Sequence, residues 1–350
     1  MRQLKILKGL GLLVGMIIGA GMFALPYAVS RAGLWWGSFH FVLAAVLVTC
    51  VHLLYGKVLF NNHLRHRLPG YVREYIGESA YWVTLVSRFF AYFGYLLAYG
   101  ALAGLLLSNF VPAVSPFALS IIFFLVVSPL VFLKLSGVSV ISLVLNFFLI
   151  IFVGLLYFAL FPKIHYDQAV LQGSVGSWFF PYGVFLFAFG GASIIPELAD
   201  LFGHGGEKQF RLIVLASTGI VAIVYAMFIA TVLGIAQGGV AQDGLSSIQK
   251  FGGDGFLLIG SFIGLLAIID SYIGLGLELQ ATFRYDLGVG KNIARVFVVA
   301  VPLALYALGV NNFVLILAAT GAVGVGVEGI CIATLARKTI RTNLIFVTVL

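Results

Sequence analysis

Long apolar segments dominate the pattern of hydrophobic and polar positions along this chain. Short polar or glycine-containing connections separate them. A helix of about 20 apolar residues crosses the ~30 Å hydrocarbon layer of a bilayer. The pattern therefore predicts ten membrane-spanning helices, at about 7–31, 34–59, 81–110, 116–133, 137–161, 177–202, 210–236, 255–281, 292–310 and 312–335.

Composition excludes a water-soluble fold. Hydrophobic residues make up 62% of the 350 positions and charged residues only 9%, whereas a soluble domain carries about 25% charged residues. The first apolar segment continues past Pro26 without a small-residue cleavage site, which favours a span over a signal peptide. Cys50 and Cys331 lie inside apolar segments, and we expect them to be small packing residues without a disulfide.

The basic residues predict how the chain is oriented. With the N-terminus in the cytoplasm, all but three of the 20 Lys and Arg residues lie in or beside cytoplasmic connections; the exceptions are Arg31, Lys163 and Lys250. This asymmetry predicts a plasma (inner) membrane protein with both termini cytoplasmic. It also accounts for the net charge of +8 without a nucleic-acid partner. The apolar residues 342–350 rise only ~14 Å as a helix, so they predict a cytoplasmic tail or a partial eleventh span.

Two segments interrupted by glycine and proline occupy matching places in the two halves of the chain. Residues 19–26 read Gly-Ala-Gly-Met-Phe-Ala-Leu-Pro, and residues 189–196 read Phe-Gly-Gly-Ala-Ser-Ile-Ile-Pro. Each opens a set of five predicted spans, and an odd number of spans gives the two sets opposite orientations. We therefore predict two inverted repeats, at 1–161 and 162–335, followed by the tail at 336–350.

Adjacent glycines are unfavourable in a membrane helix. Each costs about 1 kcal/mol relative to alanine, and unpaired backbone groups in hydrocarbon cost several kcal/mol. A broken helix persists where its backbone groups face a ligand, an ion or a cavity, and a matched pair of such spans is typical of a transporter's midplane site. Close helix packing is the alternative role of membrane glycines, and we assign it to Gly100, Gly104, Gly154, Gly321, Gly324 and Gly326.

The interrupted segments resemble those of a known superfamily, the amino acid–polyamine–organocation permeases. The likeness is strongest to the aromatic amino acid permeases and the amino acid/auxin permeases, and it covers essentially the whole chain. Gly15–Tyr27 resembles their first helix, Leu68–Gly77 their first inner loop, Phe187–Glu197 their sixth helix, and Ser261–Gly288 their eighth helix and its exit.

The resemblance implies an all-α polytopic membrane protein with the leucine-transporter fold. That fold is a 5+5 inverted repeat with discontinuous helices 1 and 6, and the substrate lies between helices 1, 3, 6 and 8. The amides of 19–21 would meet the substrate carboxylate, which the positive end of a half-helix favours, and carbonyls near 18 and 187–189 would meet the ammonium. The implied substrate-binding residues are Ile18, Gly19, Ala20, Gly21, Phe187, Ala188, Phe189, Gly190, Gly191 and Tyr272. Tyr92, Tyr95 or Tyr99 could join them, although aromatic stripes in membranes also serve packing or interface belts.

Asp270 is the first candidate for ion coupling. It lies ~24 Å along a helix from Asp254 and ~21 Å from Arg284, hence near the midplane, where an ionisable group costs roughly 3 kcal/mol or more. The resemblance implies a sodium site at Gly15, Ile18, Ala267, Asp270 and Ser271, but the family usually has a hydroxyl residue where this chain has Asp270. An ionised Asp270 suits sodium, a protonated one carries a proton, and a structural role is the third alternative. The helix 5 lysine of some proton-coupled relatives has no counterpart in 137–160.

Three further polar residues lie within the predicted spans. Glu328 is predicted to be either a second proton site or a brace between helices. We expect Glu278 to pair with Arg284 and His52 to be a packing residue with satisfied hydrogen bonds.

Soluble-enzyme motifs are missing from the sequence: it has no phosphate-binding loop, no HExxH and no paired-cysteine metal motif. We therefore expect no enzymatic activity and no cofactor beyond Na+ or H+ as a coupling ion. The expected function is secondary active transport of neutral, hydrophobic or aromatic amino acids by alternating access. An uncoupled facilitator, channel or exchanger for a small solute is the alternative. The expected partners are the amino acid and the lipid bilayer, and the sequence leaves the oligomeric state open.

Overall fold

The computed structural model describes residues 2–62, 67–132, 138–166, 172–174, 176–203, 205–236 and 239–340. The α-helices in these ranges are α1 Arg2–Ile17, α2 Gly21–Ala32, α3 Leu34–Asn61, α4 Leu68–Tyr75, α5 Glu78–Ser108, α6 Pro116–Val127, α7 Val138–Leu160, α8 Phe180–Phe189, α9 Ile195–Phe202, α10 Glu207–Ile235, α11 Gln249–Tyr285, α12 Lys291–Ala307, α13 Phe313–Thr320 and α14 Gly326–Thr339. A 3-10 segment, Ser128–Phe132, extends α6, and a π-helix, Gly321–Val325, joins α13 to α14. The predicted tail beyond residue 340 lies outside the described residues.

The predicted spans are helical wherever the structure describes them. Within the described ranges, seven helical segments are long and apolar enough to cross a membrane, and α1 with α2 forms an eighth if this bent pair is one span. The predicted spans 116–133 and 292–310 correspond to shorter apolar helices. The fold is thus an all-helical, multi-pass membrane protein, as predicted.

Both predicted helix breaks are present. The first separates α1 from α2 at residues 18–20, where the two helices bend by 53°. The second ends α8 at Phe189; Gly190 is extended, and a 3-10 turn, Ala192–Ile194, leads into α9. Pro196 lies in the first turn of α9, where its N–H would have no helical partner. Pro26 lies inside α2, where it removes a helical N–H donor.

The two breaks meet in the core of the helix bundle. A methyl group placed on Gly21 would lie 2.9 Å from a ring carbon of Phe187 and 3.0 Å from the Cα of Ala188. A methyl group placed on Gly191 would lie 3.0 Å from the side chain of Ile17. Glycine at these positions therefore allows one interrupted helix to approach the other.

The packing prediction holds for four of the six glycines to which it was assigned. A methyl group would clash with a neighbouring helix at Gly100, Gly104, Gly321 and Gly324. At Gly154 and Gly326 a methyl group would meet no heavy atom of a neighbouring element within 4 Å in the described part of the chain, so the described residues do not support close packing there. Both cysteines are free thiols, as predicted.

Candidate functional site

A cavity of about 450 Å³ lies between the two helix breaks, α5, α11 and α14. Cavities of roughly 300–1,000 Å³ are typical of small-molecule sites. The structure brings ten of the predicted site residues to its wall: Gly15, Gly19, Ala20, Gly21, Phe187, Gly190, Gly191, Asp270, Ser271 and Glu328. Elements far apart in the sequence thus build one site.

The first break contains two backbone donors in residues that line the cavity. Neither the Gly19 amide nor the Ala20 amide donates to a backbone carbonyl in the described part of the chain. Both precede the 12-residue helix α2, which has no side-chain cap. Such N–H groups at the positive end of a helix suit an anion.

A buried tyrosine hydroxyl links the two breaks. Tyr225 of α10 shares its hydroxyl between the carbonyl oxygens of Ile17 and Ala188, each at 2.9 Å. These carbonyls belong to the last turns of α1 and α8, where helical partners run out. Tyr225 is missed by sequence reasoning, because a tyrosine in an apolar span shows nothing of what its hydroxyl will meet.

One face of α5 forms the aromatic wall. Arg88, Tyr92, Tyr95 and Tyr99 follow helical spacing and all line the cavity, so all three candidate tyrosines face inward. The centroids of the Tyr95 and Phe187 rings are 4.8 Å apart. The Tyr99 and Ser271 side chains both line the cavity and interact with each other.

Five predicted site residues do not line the cavity: Ile18, Ala188, Phe189, Ala267 and Tyr272. The Tyr272 hydroxyl instead lies 2.7 Å from that of Ser128, and the Phe189 ring packs against Tyr225 at 5.3 Å. The Phe189 and Tyr272 side chains therefore pack against other core residues and do not line this cavity. Successive helical residues are turned by about 100°, so Tyr272 points away when Ser271 faces the cavity.

The charged residues pair differently from the prediction. Glu278 forms an ion pair with Arg88 at 3.2 Å, so its predicted pairing with Arg284 is wrong. The Arg88 guanidinium also donates to the Tyr92 hydroxyl at 2.6 Å and interacts electrostatically with Glu328. The sequence placed Arg88 beside a cytoplasmic connection, yet it lies ten residues into α5, or ~15 Å along the helix.

Two polar side chains flank the breaks from outside the cavity. His52 is buried, and neither ring nitrogen has a hydrogen-bond partner among the described residues, so the expectation of a satisfied histidine is wrong. Its Cε1 lies 3.4 Å from a methyl group placed on Gly191. Asn146 of α7 donates its side-chain amide to the Gly15 carbonyl at 3.1 Å. In the sequence, Asn146 stands out only as a single amide side chain within a long apolar segment.

Comparison with known proteins identifies the family. The profile of the tryptophan/tyrosine permease family matches residues 2–345. The low affinity tryptophan permease of Escherichia coli (strain K12) is 24% identical over an alignment 358 positions long, which spans 92% of this chain and 82% of that protein. The tyrosine permease of Enterobacter agglomerans is 25% identical over 316 residues, covering 82% and 70%. Permeases are transporters, so these matches confirm the predicted amino acid permease and the expectation that it is not an enzyme. The chain belongs to the tryptophan/tyrosine permease family.

Proposed function

We propose that this protein is a secondary active transporter of aromatic amino acids, with tryptophan and tyrosine among its substrates. The observation that carries the proposal is the meeting of two helix breaks at the wall of one aromatic-lined cavity. Family membership supports the amino acid as cargo. The names of the two relatives, a tryptophan permease and a tyrosine permease, support the aromatic class.

The proposed architecture is the leucine-transporter fold, with inverted repeats at 1–161 and 162–335. Support comes from the matched breaks, since α1 and α2 open the first half and α8 and α9 open the second. In transporters built from such half-helices, one group of helices rocks against the other around a fixed binding site. This movement exposes the site to each side of the membrane in turn, which is alternating access.

The proposed substrate pose follows from the backbone groups at the breaks. The carboxylate accepts hydrogen bonds from the amides of Gly19 and Ala20, because they precede a helix and lack backbone partners. The ammonium faces carbonyl groups near the ends of α1 and α8. The aromatic side chain lies beside Tyr95 and Phe187, whose rings form the adjoining wall.

The cavity runs from the breaks toward one end of the bundle. It reaches Leu12 of α1, Leu68 of α4 and Glu278 of α11. On the other side of the breaks, Phe23 packs edge-on against Phe228, with ring centroids 6.0 Å apart. If the N-terminus is cytoplasmic, as the basic residues predict, this is an inward-facing state.

The proposed coupling ion is a proton, and the proposed group that carries it is Asp270 on the cavity wall. Among the predicted sodium ligands, the Gly15 carbonyl accepts an N–H from Asn146, and Ile18 and Ala267 do not line the cavity. These placements support a proton over sodium.

Uptake into proteoliposomes tests this function. We expect tryptophan to accumulate under an inward proton gradient, and Asp270→Asn to abolish accumulation while keeping exchange of internal for external tryptophan. The control is Asp254→Asn, the same substitution at an exposed position on the same helix, which should behave as wild type. Equilibrating flux that no ion gradient changes would favour a facilitator or exchanger.

A further inference from the structure

Glu328 lies about one helical turn from the second break. It follows the π-helix, and both Val325 and Glu328 line the cavity. The Val325 side chain is 3.6 Å from a methyl group placed on Gly190. Glu328 is three residues further on, hence on the same face and ~4.5 Å along the axis. An aromatic side chain anchored at the breaks spans such a length.

Tyr95 connects the break to the surroundings of Glu328. Its ring packs against Phe187, next to the second break. Its hydroxyl oxygen lies 3.5 Å from a methyl group placed on Gly324, in the π-helix. Tyr95 also interacts electrostatically with Glu328. Tyr95 therefore lies beside the second break, beside the π-helix and within electrostatic reach of Glu328.

The charges around Glu328 suit a hydrogen-bond acceptor. Apart from Cys331 of its own helix, the polar groups that interact with it come from three helices: Tyr55 of α3, Arg88, Tyr92 and Tyr95 of α5, and Glu278 of α11. Arg88 supplies positive charge, but within the described ranges its ion pair is with Glu278. The Glu328 oxygens are thus near a cation without being bound in its ion pair.

We propose that Glu328 selects substrates whose aromatic ring carries a hydrogen-bond donor. Its carboxylate accepts the indole N–H of tryptophan or the phenol O–H of tyrosine. A carboxyl group accepts hydrogen bonds whether it is ionised or protonated, and an indole N–H only donates, so the two groups are complementary. Phenylalanine has no such donor, and a site built around one disfavours the analogue that lacks it. This role rests on the proposed function and differs from the proton site and the brace that the sequence left open.

Competition binding to the purified full-length protein tests the assignment. Labelled tryptophan is displaced by tryptophan, 1-methyltryptophan, tyrosine or phenylalanine. In 1-methyltryptophan the donor N–H is replaced by N–CH3, while phenylalanine lacks the donor without adding bulk. We expect wild type to favour tryptophan over 1-methyltryptophan, and tyrosine over phenylalanine, by about tenfold or more.

Substitution at Glu328 should remove this preference. In Glu328→Leu we expect both ratios to fall toward one, chiefly through weaker binding of tryptophan and tyrosine. Glu328→Gln keeps an acceptor oxygen and should retain part of the preference. The matched control is Glu78→Leu, which breaks the exposed Arg73–Glu78 ion pair and should leave both ratios at their wild-type values.

Three results would overturn the assignment. The first is that wild type binds phenylalanine as tightly as tyrosine, and 1-methyltryptophan as tightly as tryptophan. This result is independent of whether any variant folds. Glu328→Leu could keep both wild-type ratios. Glu328→Gln could keep both ratios while losing proton-driven accumulation, which would make Glu328 a proton site. If wild type bound no aromatic amino acid, the proposed function itself would fail.

Discussion

The side-chain amide of Asn146 donates a hydrogen bond to the carbonyl oxygen of Gly15 across 3.1 Å. Gly15 lies in the last turn of α1, where carbonyl groups lose their helical partners. Asn146 comes from α7, so the bond ties the end of the first half-helix to a separate span. An N–H already occupies a direction from which a cation would approach this carbonyl.

Sodium dependence tests that arrangement. Because the Gly15 carbonyl is engaged, we expect wild-type uptake to be the same in sodium and in potassium buffers at equal pH. Asn146→Ala leaves the carbonyl without its donor, at a cost of about 1–3 kcal/mol, and should lower the unfolding temperature and the rate of uptake. Clear stimulation of wild-type uptake by sodium would contradict the proton assignment.

The close approach of the two breaks predicts intolerance of a single methyl group. In Gly21→Ala the added carbon would meet Phe187 and the main chain of Ala188 at about 3 Å, and overpacking of this kind costs about 1–3 kcal/mol. We expect initial uptake rates to fall about tenfold or more. Gly154→Ala, in α7 with no neighbour within 4 Å, should keep wild-type uptake and gain up to ~1 kcal/mol of helix stability. Equal rates for the two variants would show that the contact is unimportant.

The hydroxyl of Tyr225 offers a test of the link between the breaks. Tyr225→Phe keeps the ring and leaves two buried carbonyl groups without their donor, so we expect a loss of about 1–3 kcal/mol in stability together with slower exchange. Tyr166→Phe is the control, since this hydroxyl lies on an exposed residue 3.5 Å from its acceptor. Thermal unfolding in detergent and exchange rates measure both effects, and an unchanged Tyr225→Phe protein would show that the link is dispensable.

A buried carboxyl in the connection between α10 and α11 predicts a pH-dependent stability. Burial raises the pKa of Asp243 above its ordinary value of 3.8, although hydrogen bonds from Ser246 oppose the rise. The folded state then binds this proton more tightly than the unfolded state, so the contribution is full below pH 3.8 and is lost as pH rises through the folded-state pKa. The amide side chain introduced by Asp243→Asn does not titrate, so this variant lacks the contribution.

The unfolding temperature of Asp243→Asn relative to wild type should therefore increase as pH is raised from 4 to 7. Asp254→Asn, at an exposed position, serves as the control and should show a smaller trend. A difference between Asp243→Asn and wild type that stays constant with pH would contradict the shift.

The sequence is enough to locate both helix breaks, because adjacent glycines and nearby prolines weaken a helix at their own positions. The direction of each side chain was harder to predict. Tyr272 and Ser271 are neighbours in the chain, but a turn of about 100° per residue sends one toward the core and the other toward the cavity. The Arg88–Glu278 pair and the contact of His52 with the second break depend on how distant helices pack, which local pattern does not encode.

The π-helix Gly321–Val325 determines what the last helix presents to the cavity. A π-helical turn bonds residue i to i+5 where an α-helix uses i+4, so this segment holds one residue more than a regular helix would. Each residue turns an α-helix by about 100°. Because the π-helical turn already takes up its extra residue, a chain shortened by one residue here would regain a regular helix and keep Glu328 facing the cavity. The same deletion within α13 would turn the whole of α14 by about 100° and carry Glu328 off the cavity wall. The π-helix is therefore the point at which this helix tolerates a change of length.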